Sequence, residues 1–177
     1  MINKTKEKVE DNVIFNKVAQ SGLITINLEE LYPVGERVII DIREQLIEDF
    51  LLREKSFREF IASEDWSKYS GKFVSIHCSN DAIIPMWAWM LLASALEPFA
   101  KKIVFGNAST LEDELFSEVV SKINPEEYHD ARVVIKGCSD KPVPVSAYVA
   151  LTALLRPVAK SILFGEPCST VPVYKKK

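Results

Sequence analysis

Three cysteines carry whatever thiol chemistry this chain has, and each is followed by serine: Cys78-Ser79, Cys138-Ser139 and Cys168-Ser169. Each also has a proline a few residues later. Thiolate is both a nucleophile and a metal ligand, so the surroundings of these residues decide what they can do. The first two cysteines lie in stretches that repeat, residues 72–106 and 132–165. Pro85 and Pro144, Pro98 and Pro157, Phe105 and Phe164, and Gly106 and Gly165 are all 59 apart. Cys78 and Cys138 are 60 apart, so the two units differ by one residue near the cysteine. Cys168 lies just after the second Phe-Gly. The pattern points to three thiols gathered at one place.

The elements around them read as alternating strands and helices. Continuous apolar runs at 38–42, 73–77, 103–105, 132–136 and 162–164 are the core strand candidates, and such runs suit strands buried on both faces. A short run at 23–26 is a further candidate, with an antiparallel edge position open to it. Helical spacing is read at 46–51 and 57–61, then at 85–96, 111–123 and 144–155. Proline suits the first helical turn, where its missing N–H costs nothing. Ser109 or Thr110 is the expected cap of the helix at 111–123. The alternation predicts an α/β fold, a mostly parallel sheet of about five strands with flanking helices and an internal strand–Cys loop–helix–strand duplication. Residues 1–15 read as a charged, mobile extension, and 16–177 as a single domain.

In parallel sheets, ligands bind beyond the carboxyl ends of the strands. Cys78, Cys138 and Cys168 each follow a strand, so one sheet edge would carry all three. Two of them precede helices, where unpaired N–H groups favour thiolate. The set lacks a CxxC spacing, which argues against a zinc ribbon. Metal ligation by Cys78, Cys138 and Cys168, around an iron–sulfur cluster or zinc, is the leading reading. His77, Asp81, Asp140 and Glu166 are the protein groups that could complete such a site, and Lys136 and Lys141 could hold thiolate or an external anion. Structural readings stand beside these. Cysteine often packs as a small hydrophobe. Asp81 and Asp140, which match across the repeat, would cap the helices that follow them. His77 would be a satisfied strand residue and His129 a surface one. Trp87, Trp89 and Tyr148 would belong to the core or to a subunit interface.

Composition excludes several functions. Lys+Arg 22 against Asp+Glu 25 leaves a net charge of −3, with no basic stripe for nucleic acid. The one basic run, Lys175–Lys177, reads as a solvated tail. The apolar window 83–100 is broken by Pro85, Glu97 and Pro98, so a buried helix is expected and not a membrane span. The first residues lack an apolar signal region, and an odd cysteine count fits cytoplasmic thiols better than a disulfide framework. No P-loop, GxGxxG, GxSxG or HExxH is present. No catalytic residue is assigned.

The segments KVAQSGLITINLEELYP, KGCSDKPVPVSAY and FGEPCSTVPVYKKK resemble the bacterial family known as domain of unknown function 2480, over nearly the whole chain after about residue 16. The family brings no assigned activity. The resemblance implies a cytoplasmic role beside the Suf iron–sulfur assembly system, with Suf proteins as partners. Three readings follow. The chain could be an accessory factor in iron–sulfur cluster or metal handling. It could carry persulfide sulfur on a reactive thiol. It could be a non-enzymatic scaffold, its apolar helices supporting a homodimer.

Overall fold

The computed structural model describes residues 22–137 and 140–177. The expected N-terminal extension and the placement of Cys138 both lie outside the described residues.

The chain folds as a mixed α/β structure, but among the described residues its strands form two larger sheets and one two-stranded hairpin, where about five strands in one sheet were expected. One sheet has the order β1 (Leu23–Asn27), β7 (Arg132–Lys136), β8 (Ser161–Glu166), β9 (Ser169–Lys175). The other has the order β2 (Arg37–Asp41), β5 (Phe73–His77), β6 (Lys102–Phe105). All pairings in these sheets are parallel except β8 with β9. The run at 23–26 is thus an edge strand, and its pairing with β7 is parallel, which closes the antiparallel alternative left open for it. The antiparallel strand is β9, which begins beside Cys168 and ends at Lys175, the first residue of the run read as a solvated tail. Pro172 makes this segment a poor central strand, yet an outer strand tolerates it.

The helices are α1 (Glu54–Ser63), α2 (Met86–Leu96), α3 (Ala108–Ser121) and α4 (Val145–Leu155). The helical spacing at 46–51 proves misleading. There β3 (Leu46–Ile47) and β4 (Leu51–Leu52) form a small hairpin, turned by positive φ at Glu48 and Asp49. The cap of α3 is also displaced from its expected place. Asn107 Oδ1 accepts from the Thr110 N–H at 3.0 Å, which starts the helix earlier.

Each sheet buries one face against two helices. Phe57 of α1 and Ala88, Leu92 and Leu96 of α2 pack on Val74 and Ile76. Phe116 of α3 and Ala147, Leu151 and Leu155 of α4 pack on Val133 and Ile135. These positions match at a spacing of 59, and so do the short 3-10 turns Trp66–Tyr69 and Pro125–Tyr128 with their caps Asp65 and Asn124. The correspondence begins at α1, well before residue 72. α3 also faces the other way: Leu111 and Leu115 bury against Phe73 and Val104 of the second sheet. One helix therefore joins the two cores. Arg37 clamps the same junction, bonding Glu112 through Nε at 2.8 Å and stacking over Tyr32 at 4.4 Å.

Candidate functional site

β5 ends at His77 and Cys78 follows at once. The neighbouring strand β2 ends at Asp41, directly opposite His77 in register. Asp41 Oδ1 accepts from the backbone N–H of Ser79 at 3.1 Å and from that of Arg43 at 3.0 Å. The carboxylate thus ties the cysteine loop to the end of the next strand. Burial pushes the Asp41 carboxyl up, but the hydrogen bonds from Ser79 and Arg43 and the charge of His77 outweigh it and hold it below the usual range. Asn80 donates to the Asp49 carbonyl at 3.0 Å, tying the loop to the β3–β4 hairpin as well.

The loop after β7 is tied in the same manner by a different acid. Glu29, just past the end of β1, is 9% exposed. Its Oε1 accepts from the N–H of Asp140 at 2.8 Å and of Lys141 at 3.4 Å. Its backbone carbonyl accepts from Lys141 Nζ at 3.0 Å. Gly137 permits this close approach. A Cβ there would stand 3.1 Å from the Glu29 nitrogen, and its φ of +138° is strained for any other residue. Tyr148 adds a bond from its hydroxyl to the Gly137 carbonyl at 2.6 Å.

The third thiol sits in a hairpin. Glu166 of β8 pairs with Ser169 of β9, so Pro167 and Cys168 form the two-residue turn between them. Cys168 is exposed and Cys78 half-buried, and both are free thiols. Lys136 Nζ reaches Glu166 Oε2 at 3.1 Å, which places the ends of β7 and β8 side by side.

The expected gathering of three thiols on one edge does not follow from this topology. Cys78 belongs to the carboxyl edge of one sheet and Cys168 to that of the other. Among the described residues, no group of three or more His, Cys, Asp or Glu is placed to hold a metal. Asp81 and Asp140 are exposed and cap no helix, because Pro85 and Pro144 occupy the N-cap positions without a side-chain bond. The residues between Cys78 and Pro85 are irregular, so Cys78 stands well short of the helix it was expected to adjoin. Lys136 and Lys141 already have protein partners, and Glu166 is paired to Lys136. Trp87 packs on Phe57, while Trp89 stacks edge-on to Phe105 and Tyr148 edge-on to Phe164.

Glu29 and Asp41 escape notice in the sequence reading. The signal available was an acid at or just beyond the end of an apolar run, on a strand remote in sequence from the loop it holds.

A family model matches residues 12–176 under the description "Protein of unknown function (DUF2480)". The chain belongs to this family. No curated protein and no solved structure matches it. In this chain the backbone N–H of Ser79, and those of Asp140 and Lys141, are held by a carboxylate at or just past the end of a neighbouring strand. No helix among the described residues is long and apolar enough to cross a membrane.

Proposed function

We propose that this chain is a cytoplasmic thiol protein serving iron–sulfur or sulfur handling, with Cys78 and Cys168 acting at separate sheet edges. The observations that carry this reading are the carboxylate-held loop that follows Cys78 and the exposed turn that bears Cys168. A cysteine that merely packs needs no hydrogen-bonded loop beyond a strand end, and Cys168 is exposed on a turn. Separate thiols favour sulfur transfer over a shared three-cysteine cluster. A thiolate attacks the outer sulfur of a donor persulfide, takes that sulfur as its own persulfide, and releases the donor as thiolate. The donor class is a cysteine persulfide on a partner protein, with the Suf system as the proposed source.

A second reading keeps metal. Residue 138 follows β7 and Cys168 follows β8, and the Lys136–Glu166 contact sets those strand ends together. Cys138 and Cys168 would then be two ligands of an iron–sulfur cluster or zinc, the remaining ligands coming from a partner. The repeated elements at a spacing of 59 are proposed to descend from an internal duplication, with β1 completing the sheet of the second unit.

One experiment separates the readings. The protein is purified anaerobically, its iron, sulfide and zinc are measured, and it is then incubated with a cysteine persulfide donor and analysed by mass spectrometry. A gain of one sulfur atom on Cys78 or Cys168 without bound metal supports sulfur transfer. Stoichiometric metal lost in Cys138→Ala and Cys168→Ala supports the cluster reading. Neither metal nor persulfide would leave the scaffold reading standing.

A further inference from the structure

The two sheets end differently. β8 is covered on its outer side by the antiparallel strand β9, whose Val173 lines an apolar hollow of about 390 Å³ with Tyr148 and Phe164. β6 stands at the matching place in the other sheet, and no strand among the described residues covers it. The Gly106 N–H is spent on the Ile76 carbonyl at 3.0 Å. By the alternation of a parallel ladder, the backbone groups of Ile103 and Phe105 then face outward. Beside this edge the surface is apolar. Met86 is 73%, Met90 71% and Phe105 65% exposed. Trp89 stacks on Phe105 at 5.0 Å, as Tyr148 does on Phe164. An open edge with an apolar flank is a pairing site.

We propose that the occupant of this edge is a second copy of the chain, β6 pairing antiparallel with β6 of its partner about a two-fold axis at Val104. The molecule itself shows the kind of element that fits, since β9 covers the equivalent strand in antiparallel sense. A symmetric pairing must keep side chains of one face together. Centring on Val104 does so and sets Ile103 against the partner's Phe105, joining their outward N–H and C=O groups. It also sets Lys102 against the partner's Gly106, so like charges do not meet, and Lys102 is already paired with Glu118 at 3.4 Å. Met86, Met90 and Phe105 each offer on the order of 100 Å² of apolar surface. The ladder and the flank of α2 would supply the rest of the roughly 800 Å² per partner that a stable interface needs. The pairing closes, because β9 occupies the corresponding edge of the other sheet and its Pro172 and Lys175 discourage a further strand.

The test is the mass of the full chain in solution by light scattering at micromolar concentrations, with circular dichroism to check folding. The wild type should weigh twice the chain mass. Phe105→Lys should halve it with the fold intact. Met90→Lys serves in its place if the first variant fails to fold. Val173→Lys, on β9, should leave the dimer unchanged. A monomeric wild type overturns the proposal. So does a dimer that survives both lysine variants, or one broken instead by Val149→Lys on α4.

Discussion

The half built on β2-β5-β6 and the half built on β1-β7-β8-β9 start from nearly the same plan and finish it differently. Both lay a helix with the same buried positions, Ala88, Leu92 and Leu96 or Ala147, Leu151 and Leu155, on a pair of parallel strands. Both close the preceding turn with an Asp or Asn cap. They differ at three points. The second half gains β9 and with it Cys168. The first half takes its loop-holding acid from the strand end itself, Asp41, whereas the second takes Glu29 from beyond it. At the centre of β5 the first half has Ser75, where β7 has Val134, and both are fully buried. Core positions are alike because packing allows few alternatives. Edges and loops differ because solvent tolerates many alternatives.

That comparison can be tested from its strongest element down. Phe57 and Phe116 are the matched aromatic anchors of the two cores. Replacing either by alanine should cost about 3–5 kcal/mol in urea unfolding. Because α3 joins the cores through Leu111 and Leu115, both variants should still unfold in one transition. Two separate transitions would show the halves to be independent.

The loop acids come next. Glu29→Ala should cost about 1.5–3 kcal/mol, since a buried carboxylate oxygen accepts two N–H groups there. Asp41→Ala should cost about 1 kcal/mol, a typical value for losing a cap. Its pH dependence has a definite sign. The folded carboxyl lies below the ordinary 3.8, so its stabilisation is fully present above that pH. It is lost as pH falls through the folded value. The stability gap between wild type and Asp41→Ala should therefore shrink on acidification.

Ser75 offers a change in the other direction. Its hydroxyl is buried and lacks a hydrogen-bond partner among the described residues. Ser75→Ala should raise stability by roughly 1 kcal/mol, seen as a higher denaturation midpoint. A loss instead would mean that the hydroxyl is satisfied by bound water. The smallest effect is expected on the hairpin turn. Cys168→Ser should change stability by less than about 0.5 kcal/mol. In the wild type, Cys168 should alkylate before the half-buried Cys78, as read by mass spectrometry.

The residues themselves determined the class of fold, the α2 and α4 boundaries and the correspondence between the two units. These depend on local pattern: apolar runs, prolines at helix starts and helical spacing. Local pattern misled at 46–51, where positive φ at Glu48 and Asp49 turned a helical spacing into a hairpin. It also left β9 unseen, since a proline-bearing strand becomes one only when β8 offers it an edge. Tertiary structure alone decided that the strands divide into two sheets and that Cys78 and Cys168 stand on different ones. It also decided that Glu29 reaches residues 140 and 141, over a hundred positions away. Pairing between strands is set by burial and backbone hydrogen bonds across long sequence separations, and no single segment carries that information.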